Sequence, residues 1–222
     1  MDLLLTFLKQ PLYFKKTAID WSDFFKLYFI LVIIIIVLSP VITLLKIWLD
    51  IKEENLNLSD FIVFIGMVVI APITEEIIFR LILRPTYTNI ILFSLFAFLG
   101  FAFSIYKHNV PMMISSFFIA GIFALILSGR KKIVKTQFII IRHYKLFFYF
   151  SCILFGLVHV FNNGHVTVGI LLAAPILVLP QFICGGFLGF VRIKYGLIYS
   201  ILFHSLINLI PAIFMLMSVA KA

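Results

Sequence analysis

Residues 66–83 read GMVVIAPITEEIIFRLIL, an apolar run that contains two adjacent carboxylates, Glu75 and Glu76, and one arginine, Arg80. A helix needs about 20 mainly apolar residues to cross the hydrocarbon core of a bilayer, and this run has that length with its apolar flanks. An ionisable side chain at the centre of such a helix costs about 2.5–3.5 kcal/mol to insert, and marks a functional site by default. The stretch therefore predicts a membrane helix with a buried polar site.

The rest of the 222-residue chain has the same character, since 64% of its residues are hydrophobic and only 12% are charged. Soluble domains are about half apolar and a quarter charged. Runs long enough to cross a bilayer lie at 27–49, 61–83, 88–106, 110–128, 146–162, 167–190 and 197–217. The composition predicts a single all-α membrane domain over 1–222, a polytopic transmembrane helix bundle of about seven or eight spans.

Two local patterns refine this arrangement. Residues 1–20 mix leucine and aromatic residues with lysines, which is typical of a helix lying in the membrane interface. Pro175 and Pro180 both fall inside the run 167–190, so we expect that span to be kinked or broken.

The net charge of +9 comes from basic residues spread over short segments between the apolar runs. This distribution indicates cytoplasmic loops beside anionic membrane lipid and does not favour a nucleic-acid partner. With the N-terminus inside, thirteen of the 18 Lys and Arg residues fall on the inner side. The positive-inside rule therefore predicts a cytoplasmic N-terminus.

Helix geometry separates the two carboxylates. Glu76 and Arg80 are four residues apart, share a helix face and can form an ion pair. Glu75 is turned by about 100° from Glu76 and needs a partner from elsewhere. In one interpretation the three residues only lock helices together. In the other, the Glu76–Arg80 pair supports a chemical role for Glu75.

Two further apolar runs carry polar side chains that suit such a role. His159 lies in CILFGLVHVF, residues 152–161, while His204 and Asn208 share one helix face within YSILFHSLINLI, residues 199–210. Polar groups from three separate spans avoid lipid by converging in one buried pocket. The sequence therefore predicts a common site for Glu75 and these three residues.

The residue types in this site point to a hydrolytic reaction. A carboxylate and an imidazole can hold and deprotonate a water molecule. A second imidazole and a carboxamide can donate hydrogen bonds to the oxyanion of a tetrahedral intermediate. Ser205 is next to His204, but adjacent helix residues face different directions, so it has no convincing base. We expect amide hydrolysis by an activated water.

Three motifs resemble those of the CAAX-processing and bacteriocin-processing (CPBP) protease family, a group of intramembrane glutamate endopeptidases that includes the type II prenyl-protein proteases. EEIIFR at 75–80 resembles the EExxxR motif, FGLVH at 155–159 the FxxxH motif, and HSLIN at 204–208 the HxxxN motif. The resemblance covers residues 60–217. Residues 88–145 are additional to the usual spacing and are expected to form an inserted pair of spans.

The resemblance implies a role for each matching residue. It assigns activation of the water to Glu75 with His159 as its partner, and stabilisation of the oxyanion to His204 and Asn208. The ion pair on the helix of Glu75 supports this set. The resemblance also implies proteolysis within the membrane, with no cofactor and no metal.

The same resemblance implies a membrane-anchored or C-terminal peptide as substrate, and an integral protein of a bacterial cell membrane. Eukaryotic members of the family cleave the C-terminal tripeptide of prenylated proteins, whereas bacterial relatives are tied to bacteriocin maturation or self-immunity. The motifs alone therefore do not identify the substrate.

Two other interpretations of the polar residues stay open. Glu75, His159 and His204 could ligate zinc, although the HExxH motif is absent. A non-catalytic bacteriocin-immunity or peptide-binding membrane protein, or a proton-coupled transporter, would also bury such groups. The lack of matching inverted halves weakens the transporter interpretation.

Overall fold

A computed structural model describes residues 2–51, 60–106, 129–163 and 167–219 of the chain, and within these ranges it contains helices and no strand. The helices are α1 (Asp2–Lys9), α2 (Trp21–Trp48), α3 (Asp60–Leu83), α4 (Tyr87–Tyr106), α5 (Arg130–Arg142), α6 (Tyr144–Val158), α7 (Val168–Leu177), α8 (Leu179–Lys194) and α9 (Leu197–Val219). Helix α3 includes a π-helical segment, Gly66–Ile70, and ends in a 3₁₀ turn, Leu81–Leu83.

In the part of the chain that the structure describes, four segments are long and apolar enough to cross a membrane: Trp21–Trp48, Asp60–Leu83, Tyr144–Phe161 and Leu197–Met217. Helices α7 and α8 meet at a bend of 42° and form a fifth candidate span if they are counted together. This bend confirms the kink predicted from the two prolines of that run. The prediction of an all-helical membrane protein is confirmed by these spans.

The predicted number of spans is not confirmed, because the described residues contain four or five candidates rather than seven or eight. The difference arises in the inserted region. The predicted span 110–128 lies outside the described residues. Helix α4 covers the predicted span 88–106, and its first part, Tyr87–Phe96, in which every side chain is described, is a shorter apolar helix.

Helix α1 forms only the first part of the segment predicted to lie in the membrane interface, and a stretch without regular secondary structure follows it. Leu4 and Phe7 are buried, whereas Leu3 and Leu5 on the other side are exposed. The ring of Phe7 packs edge-on against Phe148 of α6, with 5.0 Å between centroids. Helix α1 is therefore attached to the bundle by one face, and its place in the membrane interface stays a prediction.

Glycines allow α8 to lie against α6 at the centre of the bundle. A Cβ atom at Gly189 would lie 2.6 Å from Cε2 of Phe148, and one at Gly185 would lie 3.3 Å from Cα of Cys152. Small residues at helix crossings let backbones approach closely, which is the main route to tight packing between membrane helices. Helix α8 in turn contacts α3, which carries the two glutamates.

Two arginines join the ends of α3 and α8. Arg192 Nε donates to the carbonyl oxygen of Arg80 at 3.0 Å, and Arg84 Nη1 donates to the carbonyl oxygen of Ile193 at 2.7 Å. Gly196 then ends α8 with a φ of 113°, a conformation that a residue with a Cβ rarely adopts. This turn starts α9 beside the end of α3 and so brings the motif helices together.

Candidate active site

The π-helical segment of α3 directly precedes the turn that carries Glu75. The Ala71 N–H bonds the Gly66 carbonyl oxygen there, whereas in an α-helix it would bond the carbonyl oxygen of Met67. Pro72 has no N–H to replace it. Asn208 Nδ2 of α9 donates to the Met67 oxygen at 2.9 Å. Asn208 thus connects α9 to α3 beside the site, and its carboxamide carries a second N–H.

Glu75 lies close to two imidazoles from different helices. Its Oε2 is 4.0 Å from His159 Nε2 and 3.7 Å from His204 Nε2. This oxygen is buried and makes no hydrogen bond to a described protein atom. Both distances exceed the range of a hydrogen bond, but one water molecule about 2.8 Å from each partner would span them. The structure therefore brings Glu75, His159 and His204 together, although they belong to α3, the end of α6 and α9.

The Nδ1 atom of each imidazole has a hydrogen-bond partner that favours a proton on this nitrogen. His159 Nδ1 is 2.7 Å from the carbonyl oxygen of Phe155, which can only accept, so Nδ1 donates. His204 Nδ1 is 3.1 Å from Glu76 Oε1 and donates to this oxygen when the carboxylate is ionised. In neutral rings each Nε2 is then an acceptor beside Glu75 Oε2. Glu75 Oε2 and the two Nε2 atoms are then three neighbouring acceptors. A hydrogen-bond donor must lie between them, either a water molecule or a proton on one of the rings.

Glu76 is fully buried and has three partners. Ser200 Oγ donates to its Oε2 at 2.5 Å, His204 Nδ1 lies at its Oε1, and Arg80 Nη1 is 3.8 Å from the same oxygen. A buried carboxylate is tolerated only when charges and hydrogen-bond donors replace its hydration. Glu76 therefore holds the His204 ring in place, and Ser200 holds Glu76.

Arg80 is also fully buried, and its guanidinium lies over the ring of Phe155, 3.8 Å from the centroid. A desolvated cation–π contact of this kind is worth about 2 kcal/mol. The same ring contacts both imidazoles, with centroid distances of 4.7 Å to His159 and 5.7 Å to His204. Phe155 therefore packs the supporting ion pair against the two histidines.

A cavity of about 390 Å³ lies beside these residues, between α2, α9 and the bend of α7 and α8. Its lining includes the polar residues Ser39, His159, Gln181, His204 and Asn208. Glu75 does not line the cavity, but it lies next to His159 and His204, which do. The remaining wall is mostly apolar, and two of its residues, Ile36 and Phe214, are 63% and 66% exposed. The cavity therefore opens at the apolar outer surface of the bundle.

Helices α2 and α9 are in direct contact at the other end of this opening. The rings of Phe24 and Phe203 pack edge-on at 5.2 Å, and Tyr28 OH donates to the carbonyl oxygen of Leu206 at 3.2 Å. On α2 the cavity-lining residues begin beyond these contacts, at Val32, and on α9 they begin at His204, directly after Phe203. The gap between α2 and α9 is therefore open on one side of the site only.

Sequence reasoning missed two residues of this region. Ser200 is four residues before His204, so the same helix spacing that pairs Glu76 with Arg80 was a usable signal. Gln181 has a buried Oε1 with no hydrogen-bond partner among the described residues. Its place on the cavity wall depends on the bend between α7 and α8, and no local pattern in the sequence indicates it.

The described residues contain no group of three or more His, Cys, Asp and Glu side chains arranged as a metal site. Tetrahedral zinc with bonds of about 2.0–2.1 Å would place ligand atoms about 3.3 Å apart. The separations around Glu75 Oε2 are 3.7 and 4.0 Å, so these side chains would have to move inward to bind zinc.

Comparison with known proteins identifies part of the chain. Residues 136–210 match the family model described as type II CAAX prenyl endopeptidase Rce1-like. This segment includes His159, His204 and Asn208 but begins after the helix of Glu75. No curated protein and no solved structure matches the chain significantly. Over these residues the chain is similar to Rce1-like CAAX proteases, which agrees with the family that the motifs resemble, and the matched segment includes helices long and apolar enough to span a membrane.

Proposed function

We propose that this protein is an intramembrane endopeptidase that hydrolyses a peptide bond with a water molecule activated by Glu75 and His159. The observation that carries the proposal is the position of Glu75 Oε2, which is buried, accepts no hydrogen bond from a described residue, and lies within 4.0 Å of Nε2 on both imidazoles. A water in this place donates one hydrogen to Glu75 and the other to His159. Its lone pairs are then available for attack on a carbonyl carbon.

The reaction follows from these positions. The water oxygen adds to the peptide carbonyl carbon, and its proton passes to the Glu75 carboxylate. The resulting tetrahedral intermediate carries an oxyanion. Glu75 then returns the proton to the amide nitrogen, the carbon–nitrogen bond breaks, and a carboxylic acid and an amine leave. No other co-reactant is needed, because water supplies both the new oxygen and the protons.

His204 and Asn208 are the proposed donors to the oxyanion. His204 carries protons on both nitrogens in this role, one for Glu76 Oε1 and one for the oxyanion. Asn208 donates one N–H to Met67 and offers the other to the intermediate. Losing one donor of this kind typically lowers kcat by about 10²–10³-fold.

The cavity wall supports a substrate that is itself in the membrane. Its exposed residues on α2 and α9 are apolar, whereas the polar groups lie at the inner end, at His159, His204 and Asn208. An apolar anchor of the substrate would occupy the gap between the two helices, and the adjoining peptide would reach the imidazoles. We therefore expect a membrane-anchored or C-terminal peptide substrate.

The test compares two isosteric substitutions at neighbouring positions. Purified wild-type protein, Glu75→Gln, Glu76→Gln and His159→Ala are incubated with candidate membrane-anchored peptides, and cleavage is followed by mass spectrometry. Glu75→Gln should reduce cleavage at least about 10³-fold. It should change the unfolding free energy by less than about 1 kcal/mol, because Glu75 Oε2 has no hydrogen bond to a described residue that the substitution could remove. His159→Ala should also abolish cleavage.

Glu76→Gln serves as the matched comparison, because this carboxylate has three partners. It should destabilise the protein by about 1–3 kcal/mol. Equal cleavage by wild type and Glu75→Gln would refute the proposal. Peptide binding without cleavage by the wild type would favour a peptide-binding protein instead, and loss of cleavage on chelation with recovery on adding zinc would favour a zinc protease.

A further inference from the structure

A second cleft, of about 540 Å³, lies where the irregular segment after α1 meets the junction of α5 and α6. None of its lining residues lines the cavity near Glu75, so the two are distinct. It is lined by Pro11 and Leu12 on one side and by residues 141–146 with part of α6 on the other. The proposed hydrolysis uses none of these residues.

The rim of this cleft is positively charged. Arg142, His143 and Lys145 all line it and all are exposed, and no acidic residue is among the lining residues. The ion pairs formed by the described residues involve other basic side chains and leave Arg142 and Lys145 without a carboxylate. An anionic group would therefore meet two charges that no described carboxylate neutralises.

An apolar stripe runs from this charged rim along α6. Leu146, Phe150 and Ile153 are 68%, 57% and 46% exposed, and their spacing of four and three residues places them on one helix face. The stripe is about 10 Å long at 1.5 Å per residue. A ligand that fills the cleft thus needs a negative head and a hydrocarbon chain continuous with it.

Hydrogen bonds at the base of the cleft hold its walls together. Tyr149 OH donates to the carbonyl oxygen of Leu8 at 2.5 Å and so joins α1 to α6. The buried Tyr144 donates from its hydroxyl to the carbonyl oxygen of Leu83 at 3.1 Å, which joins α6 to α3. The cleft is therefore formed by the folded bundle, and ligand binding there should stabilise the folded protein.

We infer that this cleft binds one anionic phospholipid, with its phosphate between Arg142 and Lys145 and an acyl chain along Leu146, Phe150 and Ile153. A phosphate without a chain would leave the apolar stripe unused. A zwitterionic lipid would bring a positive headgroup charge to a rim that is already basic. An anionic lipid fits both parts of the site, with its headgroup at the basic rim and its acyl chain on the apolar stripe. Each basic side chain near a membrane surface strengthens the binding of an anionic lipid about fivefold.

The test uses delipidated protein in a neutral detergent, titrated with dioleoylphosphatidylglycerol or dioleoylphosphatidylcholine and followed by native mass spectrometry and by the midpoint of thermal unfolding. Arg142→Gln/Lys145→Gln removes two charges from the rim. Lys131→Gln/Lys135→Gln removes two charges from exposed positions of α5 that do not line the cleft, and is the matched control.

Wild type should prefer phosphatidylglycerol, and the rim variant should bind it about 30-fold more weakly, at about fivefold for each charge. The control variant should lose less than about threefold. Equal losses in the two variants, or equal binding of the two lipids by wild type, would overturn the inference. Displacement of the phosphatidylglycerol by millimolar inorganic phosphate would do the same, since it would make the cleft a site for a free anion.

Discussion

Asn208→Ala tests the contact on which the geometry beside Glu75 depends. The substitution removes the donor to the Met67 carbonyl oxygen, which the π-helical segment and Pro72 leave without a backbone partner. An unpaired carbonyl in a site shielded from water costs about 1–3 kcal/mol. We therefore expect Asn208→Ala to lower the unfolding free energy by that amount.

The cause can be isolated in a double-mutant cycle. Pro72→Ala restores a backbone N–H that can bond the Met67 oxygen across the π turn, so Asn208→Ala should cost at least about 1 kcal/mol less in that background. Asn89→Ala is the matched control, because Asn89 Nδ2 donates to the carbonyl oxygen of Arg84 at 2.7 Å and shares no partner with Pro72. Its cost should be the same in both backgrounds.

The unfolding free energy is measured in mixed micelles of increasing dodecyl sulfate content. The fluorescence of Trp21 is a suitable probe, because its ring packs 5.9 Å from that of Tyr199 on α9. A cost of Asn208→Ala below about 0.5 kcal/mol, or equal costs with and without Pro72, would refute the reasoning. If Asn208 also serves the oxyanion, the double variant should recover stability without recovering cleavage.

Three further substitutions test other contacts in the same unfolding assay. Ser200→Ala should lower the unfolding free energy by about 1.5–3 kcal/mol, because it removes a donor to the buried Glu76 carboxylate. Ser94→Ala should lower it by less than about 1 kcal/mol, because this buried serine donates to the Ile90 carbonyl of its own helix, and equal losses would contradict an ionised Glu76. Gly189→Ala should lower the unfolding free energy by about 1–3 kcal/mol, because its Cβ would lie 2.6 Å from the Phe148 ring. Gly66→Ala should not lower it, because no other residue lies within 4 Å of the added Cβ. Equal stability of the two variants would count against the close α6–α8 contact. Gly196→Ala should cost about 1–3 kcal/mol because its φ of 113° is strained for alanine, and an unchanged unfolding free energy would mean that the turn into α9 has a different backbone.

Several features of the fold could be predicted from the sequence because their causes are local. The apolar runs predict membrane helices, and Pro175 with Pro180 predicts the bend between α7 and α8, since each feature depends on residues within one segment. The number of spans could not be predicted in the same way. Apolar composition does not determine whether the residues after α4 form separate spans, and the prediction of seven or eight exceeds the four or five candidates among the described residues.

In the candidate site, too, the features with local causes could be predicted and the contacts between helices could not. Apolar runs single out Glu75, Glu76 and Arg80, and also His159, His204 and Asn208, because a polar group in such a run is costly wherever the run packs. Helix spacing predicts which of them share a face. Helix spacing also places Ser200 on the face of His204, but the hydrogen bond from Ser200 to Glu76, 124 residues away, depends on the packing of α9 on α3, which sequence spacing does not show.

The amino-acid sequence by itself therefore determined the helical membrane character of this protein and the set of polar groups that must be buried, because the cost of placing charge in apolar segments depends on composition alone. Only the tertiary structure decided how those groups meet. The Phe155 carbonyl and the Glu76 carboxylate engage Nδ1 of the two imidazoles and leave both Nε2 atoms beside Glu75. Such contacts depend on distances of a few ångströms between separate helices, which are set by close packing at glycines and by the turn at Gly196.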